Sequence, residues 1–306
     1  MKIRKLGIFQ KPKIKRCLLK VYNTYWDFVA HLLGDKAFLK YTYRIRIGRR
    51  LNLDNPQSFN EKLNWLKLYD RRPIYTQMAD KYEAKRIVAS IIGEQYVVPC
   101  YGRWERFEDV DFAILPNQFV LKATGDSSGA IICKDKNTFN YEIAKKRLSN
   151  SLKCNYYYRT REWPYKNIHP TIIADKLLDD HTGNELRDYK FWCFNGEPKV
   201  MYCTIKGKNV FENFYDMDFN PVEINHGFPR HSPEFEKPQN FDLMKNLAKR
   251  LSANIPFVRI DFFNVEGQVY FGEFTFYDWA GLFKFQTYEM DLKIGQWLQL
   301  PNKYEQ

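Results

Sequence analysis

The segment from Val258 to Thr275, VRIDFFNVEGQVYFGEFT, alternates apolar and polar side chains in two runs joined by Asn264-Val265-Glu266-Gly267. Period-two alternation rich in Val, Phe and Tyr on either side of a turn signal specifies two adjacent strands. Residues i and i+2 share a strand face, so Arg259 and Asp261 point the same way and Glu273 can reach them from the next strand. A carboxylate set among large apolar residues is costly unless a metal or cation meets it, which marks Asp261 and Glu273 as more than surface charges. The competing reading of this segment alone is a hairpin whose solvated face carries ordinary ion pairs.

The rest of the chain bounds what surrounds that spot. At 306 residues and 44% hydrophobic it can bury a substantial core, shared between two or three lobes. Cysteines at 17, 100, 133, 154, 193 and 203 contain no CxxC, which argues against a thiolate zinc site and a disulfide framework and points to a reducing compartment. No apolar run approaches the length of a spanning helix, and the amino terminus lacks a clean apolar segment with a cleavage site. A cytoplasmic location is expected.

The net charge of +12 sits entirely in residues 1–50, which hold 14 Lys and Arg against Asp27 and Asp35 and leave 34 basic and 34 acidic residues in 51–306. Leu18, Val21, Tyr22, Tyr25, Val29, Leu32 and Leu33 recur there at helical spacing. Such an amphipathic helix either docks on the body or tethers the protein at the inner face of an anionic membrane or on a polyanionic glycan. Nucleic acid is not expected, since no zinc finger, helix-turn-helix spacing or RNA-binding aromatic motif accompanies the charge.

Further along, Ser58 and Glu61 form a capping box ahead of a helix with Phe59, Leu63, Leu66 and Leu68 on its apolar face. Asp80 can cap the next helix, whose Tyr82, Ile87, Val88 and Ile91 face inward and which projects Lys81 and Lys85 together; Tyr96–Val98 then starts a strand. Phe119–Ala123 reads as a strand carrying Lys122, followed by the small-residue loop Thr124-Gly125-Asp126-Ser127-Ser128-Gly129 and the strand Ala130–Cys133. A loop of this kind can aim several backbone N–H groups at phosphates while Lys122 adds a point charge; a plain hairpin turn is the alternative. Neither a P-loop nor a G-x-G-x-x-G motif is present. Residues 139–154 read as a helix, and Pro170–Ala174 as a strand reaching Asp175-Lys176-Leu177-Leu178. Beyond the Asp179–Gly183 turn lies a hairpin of Leu186–Phe194, with Asp188 and Lys190 at period two, Asn195-Gly196 and Lys199–Thr204. Residues 241–252 form one more helix. His226 and His231, with Arg230, read as a surface loop, and Trp192 as a core residue.

The segments SFNEKLNWLKLYD, ADKYEAKRIV, FVLKATGDSSG, IIADKLL, DYKFWCFNGEPK and VRIDFFNVEGQVYFGEFTF, in this order over roughly Ser58–Leu300, resemble the ATP-grasp superfamily, specifically its teichuronopeptide-biosynthesis-like (TupA-like) branch. The resemblance implies an α+β fold in which two lobes clasp ATP, with an amino-terminal helical extension. The expected division is 1–57 for the basic extension, 58–115 for a helical and α/β portion, 116–178 for the small lobe and 179–306 for the large lobe. It implies that Lys81, Lys122 and Lys190 contact phosphates, that Gly125, Asp126, Ser127, Ser128 and Gly129 form the loop over the triphosphate, and that Asp175, Lys176, Leu177 and Leu178 meet adenine. Asp261, Glu273 and Thr275 match the Mg²⁺ ligands, with Thr275 where the family usually has Asn, and Arg259 matches the arginine facing the acyl phosphate; Arg259 and Lys190 are the catalytic candidates.

The implied activity is ATP-dependent carboxylate–amine ligation through an acyl phosphate, forming ADP. The expected partners are a sugar-acid carboxylate of a surface polysaccharide and an amine or amino acid. Two other classes compete. A glycosyltransferase would leave the lysine-loop-lysine order unused, and a non-catalytic glycan-binding module would use Trp163, Trp192 and Trp279 as stacking platforms.

Overall fold

Ten strands form two separate antiparallel sheets in the structure, a computed structural model that describes residues 26, 29–126, 129–179, 186–205 and 210–302. β1 (Cys100–Trp104), β2 (Phe119–Ala123), β3 (Ile131–Cys133) and β4 (Ile172–Lys176) make the smaller sheet in the order β1-β4-β2-β3. The larger contains β5 (Asp188–Phe194), β6 (Glu197–Ile205), β7 (Phe211–Tyr215), β8 (Pro221–Val222), β9 (Phe257–Val265) and β10 (Gln268–Thr275), in the order β10-β9-β5-β6-β7-β8. Two-residue turns close its central hairpins. Asn195-Gly196 joins β5 to β6 and Glu266-Gly267 joins β9 to β10, each pair at positive φ, the geometry that matches the right-handed twist of the flanking strands.

Helices cover these sheets in chain order: α1 (Asp35–Ile47), α2 (Phe59–Tyr69), α3 (Ile74–Ala79), α4 (Glu83–Ile92), α5 (Tyr141–Leu152), α6 (Tyr157–Thr160), α7 (Phe241–Leu251) and α8 (Tyr288–Gly295). The capping box at the start of α2 forms, with Ser58 Oγ accepting from the Glu61 amide at 3.3 Å and Glu61 Oε2 accepting from the Ser58 amide at 3.1 Å. Asp80 Oδ1 accepts from the amides of Tyr82 and Glu83 at 2.8 and 3.0 Å, so it serves the amino end of α4 and fixes the backbone on which Lys81 sits. The strand expected from Tyr96 is displaced. Glu94–Tyr96 is a 3-10 turn and β1 begins after Pro99, whose ring nitrogen offers no ladder donor.

Two large apolar cores result, with a small third cluster of Val29, Ala30 and Phe38 in the amino-terminal segment. The larger joins α2, α3, α4, α7 and α8 to the six-stranded sheet, with Trp192, Phe191, Phe194, Ile260 and Phe262 fully buried along its central strands. The smaller lies under the four-stranded sheet, where Ala144 and Leu148 of α5 pack on Phe119, Leu121 and Ala174. Trp192 is a core residue, as its surroundings in the sequence suggest.

The described part of the basic extension is packed on this body. Phe38, Leu39, Tyr43 and Ile47 of α1 are buried. The Asp35 carboxylate receives Arg71 Nη2 at 2.6 Å and the Tyr157 hydroxyl at 2.5 Å, with Arg161 Nε 3.0 Å away. Arg161 is itself buried and donates to the carbonyls of Ala30 and Leu33. Leu18, Val21, Tyr22 and Tyr25, on which the tether reading rests, lie outside the described residues.

Asp35 thus ties the extension to the end of α2 and to the α6 segment through charge-assisted bonds. Replacing Asp35 with Ala is expected to lower stability by roughly 2 kcal/mol, read as a drop in the urea midpoint at unchanged slope.

Candidate active site

The strand register accounts for the convergence. Lys190 pairs with Asp261 across β5 and β9, Glu273 pairs with Asp261 across β9 and β10, and Thr275 pairs with Arg259. Side chains at period two on three adjacent strands therefore fall in one patch. Arg259 makes five hydrogen bonds there: Nε and Nη2 grip Asp261 at 2.7 and 2.8 Å, Nη2 also reaches Glu273 at 3.0 Å, and Nη1 reaches Asp278 at 2.6 Å and the Tyr202 hydroxyl at 3.3 Å. Lys190 Nζ donates to Asp261 and lies 3.3 Å from Asp188.

These pairings decide the ionisation states. Burial works against every charge here, yet Asp261 holds the Lys190 ammonium above its ordinary range, with Asp188 adding to the effect. Glu273 is held below the usual carboxylate range by Arg259, Lys190 and Lys81 despite burial. Asp261 is raised because burial outweighs its cations. Asp278, opposed by burial but bonded to Arg259 and His226, drops to about 2.

His226 corrects an expectation. It is buried, packed among Trp192, Phe214 and Phe283, with Nδ1 3.0 Å from Glu212 and Nε2 3.3 Å from Asp278. Burial opposes its charge, but the two carboxylates raise its pKa. Its aromatic neighbours come from β5, β7 and the 276–285 segment, far apart in the chain, so the local sequence NHGF reads as a loop. Arg230 pairs with Glu234 at 2.7 Å and lines neither cavity described below.

Across from this patch, the small sheet and α4 present lysines. Lys122 and Lys85 both lie 3.0 Å from the Asp175 carboxylate, and Lys81 Nζ donates to the Asp126 carbonyl. Burial depresses Lys81, with Lys122 adding repulsion, and burial likewise depresses Lys85. A cavity of about 290 Å³ lies between, lined by Lys81, Lys122, Asp126, Gly129, Asp175, Lys190, Asp261 and Glu273 from the expected set, together with Lys85 and Asp188. Lys176, Leu177 and Leu178 follow Asp175 at the end of β4 and their side chains do not line it; Gly125 does not line it either, sitting against Ile168. Ser127 and Ser128 lie outside the described residues.

A second cavity, about 690 Å³, opens on the other side of the same patch and includes Arg259 and Thr275. Glu273 and Tyr165 line both. Its walls are the α1 and α6 segments and the turn Trp279-Ala280-Gly281, where three consecutive residues adopt left-handed φ of 48°, 56° and 56°. Two of these are not glycine, a conformation costing on the order of 1 kcal/mol or more per residue unless neighbours enforce it. Behind the walls, fully buried Lys67 donates from Nζ to the carbonyls of Thr160 and Ala280, each at 2.7 Å.

The donor set suits a hard cation. Asp261 and Glu273 are paired carboxylates, and the Thr275 hydroxyl lies 3.4 Å from Glu273 Oε1. Among the described residues no group of three or more His, Cys, Asp or Glu side chains is arranged to hold a metal ion. Two carboxylates are what Mg²⁺ commonly takes from a protein when phosphate oxygens and water complete its octahedron.

An antiparallel lobe carrying lysines and a small-residue loop, facing a larger antiparallel sheet with an Arg–Asp–Glu–Lys patch, defines the ATP-grasp class of fold. The family model for TupA-like ATP-grasp proteins matches residues 61–299, and the chain belongs to that family. No curated protein sequence matches it significantly. Among solved structures it is similar to the ATP-grasp ligase PsnB complexed with a minimal precursor (10% identity, 70% of this chain, 60% of that chain, TM-score 0.39). It is also similar to D-alanine–D-alanine ligase from Bacillus anthracis (16% identity, 72% and 67% coverage, TM-score 0.40) and from Helicobacter pylori (15% identity, 74% and 60% coverage, TM-score 0.41). The chain thus spans three-fifths to two-thirds of the length of these proteins, and at such scores nothing about its chemistry is drawn from them.

Arg259, Asp261, Glu273 and Lys190, marked from the sequence, meet in one patch; Asp278 joins them there, and its signal in the sequence was its position just after β10. Asp278 carries stability that is present above its unfolded pKa near 4 and is lost as pH falls toward about 2. The Asp278→Asn variant is expected to lose roughly 2 kcal/mol at pH 6 and to show a shallower decline between pH 4 and pH 2, measured by urea denaturation across that range.

Proposed function

We propose that the protein is an ATP-dependent carboxylate–amine ligase that works through an acyl phosphate. The observation that carries this reading is the adjacency of the two cavities, which share Glu273 and Tyr165 as lining, with lysines on one side and Arg259 on the other. ATP is taken between the sheets, its phosphates toward Lys81, Lys122 and Lys190. Asp261 and Glu273, with Thr275 alongside, would hold Mg²⁺, which supplies charge neutralisation at the transferring phosphoryl group.

An acceptor carboxylate oxygen attacks the γ-phosphorus; the bond to the β–γ bridging oxygen breaks, and its electrons leave with ADP. An amine then adds to the acyl carbon, the C–O bond to phosphate breaks, and the amine gives up a proton as inorganic phosphate departs. Lys190 and Lys122 neutralise oxygens during the first step. Arg259 lines the acceptor side, and exchange of its Nη2–Glu273 bond frees one N–H for the oxyanion of the tetrahedral adduct. We assign the carboxylate to a sugar acid of surface-polysaccharide synthesis and the amine to an amino acid or similar compound. No helix among the described residues is long and apolar enough to cross a membrane.

Calorimetry with AMP-PNP is expected to give saturable binding that needs Mg²⁺ and disappears with EDTA, and Lys122→Met and Glu273→Ala are each expected to weaken it by about tenfold or more. Absence of magnesium-dependent binding by folded protein would overturn the reading.

Incubation with ATP, Mg²⁺ and a panel of uronic acids and amino acids should release ADP and phosphate with a condensed product detectable by mass. Arg259→Lys keeps the charge but not the fork, and turnover should fall by about a hundredfold or more while AMP-PNP affinity stays within about threefold. AMP with pyrophosphate, or glycosyl transfer from a sugar nucleotide without ATP, contradicts the mechanism.

A further inference from the structure

The second cavity is large, and its lining is unusual for a site that holds a small amino acid. Seven aromatic rings face it, contributed by four separate stretches of chain. One of them, Trp279, is 46% exposed although Phe228, His226 and Phe283 pack around it at ring-centroid distances of 5.7 Å. Its backbone is held left-handed, together with Ala280 and Gly281, directly after the Asp278 that bonds Arg259. A strained turn that keeps a large aromatic face exposed beside a reactive centre points to a ligand for that face.

The polar complement is equally specific. Arg46 of α1 and Arg159 of α6 line the same space, and Arg159 has no ion-pair partner among the described residues. Thr42 and Thr160 line it too, their hydroxyl protons given to the Phe38 carbonyl and to Glu162, which leaves oxygen lone pairs toward the cavity. Aromatic faces are electron-rich, and the axial C–H face of a pyranose is the complementary surface, while guanidinium groups favour a carboxylate. A plain amino acid would leave most of 690 Å³ to water, and a neutral sugar would make no use of the arginines.

We infer that this cavity is the site of the carboxylate substrate, that it takes a sugar acid with its ring on Trp279, and that the amino-terminal extension builds one of its walls. The assignment rests on the ligase reading and deepens it, giving the sugar acid a place in the fold and making Trp279 and Arg159 the residues that select it. The carboxylate lies toward Arg259, where Glu273 and Tyr165 border both cavities, and Arg159 draws the acid in. The basic extension then has a use apart from any tether: α1 supplies Phe38, Thr42 and Arg46 to the acceptor side. The Trp279 platform and the ligase, competing explanations from sequence, become parts of one site.

The test is a ligand-observed NMR titration of full-length protein with glucuronate and galacturonate, using glucose as the ring without the acid and succinate as the acid without the ring. In parallel, Mg²⁺–AMP-PNP is titrated by calorimetry. At least one uronate should bind at least tenfold more tightly than glucose or succinate. Trp279→Ala and Arg159→Ala should each weaken that binding at least tenfold, with nucleotide affinity within twofold of wild type. Both positions are exposed, and the nucleotide titration reports whether each variant is folded; a Trp279→Leu variant, which keeps apolar volume without the ring, serves if Trp279→Ala fails it. Nucleotide binding without uronate binding, succinate binding as tightly as the uronates, or unaltered uronate affinity in the variants overturns the assignment and leaves the ligase reading standing. A wild-type protein that binds no nucleotide removes both.

Discussion

Arg259 holds Asp261, Glu273 and Asp278 together in a place where three carboxylates could not stay ionised on their own. Taking a charge out of water costs several kcal/mol unless an opposite charge and good hydrogen bonds meet it, and a planar fork with five donors is the side chain best shaped to do so. Lys190 shares Oδ2 of Asp261 with Arg259, and His226 takes the oxygen of Asp278 that Arg259 leaves. The order of strands in the large sheet follows the same need. β5, β9 and β10 must be neighbours for Lys190, Arg259, Asp261 and Glu273 to meet, and β7 must lie close enough for Glu212 to reach His226.

The two cavities are distinguished by what each takes from this patch. Asp261, Asp188 and Lys190 face the space under the small sheet, while Arg259 and Thr275 face the aromatic one. Glu273 borders both, so any rearrangement of its carboxylate is felt on either side. On the proposed ligase mechanism, phosphoryl transfer and acyl transfer would share a boundary only a residue or two thick, the proximity that converts a bimolecular reaction into a nearly unimolecular one.

How much of this was legible depended on how local the physics is. Capping at Ser58 and Glu61, the Asn195-Gly196 turn and the Arg259–Glu273 hairpin are decided within a few residues, and each forms as its sequence dictates. The lysines at 81, 122 and 190 could be marked by strand and helix spacing, and the structure brings all three to one cleft. His226 could not, because its burial is produced by rings from distant segments and by two carboxylates with no fixed spacing from it. The expectation that Asp175–Leu178 meets adenine rested on resemblance alone, and of those four side chains Asp175, whose neighbours in β2 and α4 are lysines, is the one that lines the cleft. The role of α1 was hidden behind its charge: a run of basic residues suggests a surface, whereas Asp35 and Arg161 fasten it beside the aromatic cavity.

Lys67 sits behind both walls of that cavity and touches nothing inside it. Its one ammonium is shared between a carbonyl of the α6 segment and a carbonyl of the Trp279 turn. The gap between the walls is therefore gauged by the reach of a single side chain anchored in α2, as a strut sets the span of a frame. Side chains on the inner surfaces can be exchanged, altering which ring or charge lines the cavity, while the frame keeps its width; widening or narrowing it requires a change at a position outside the cavity's own lining.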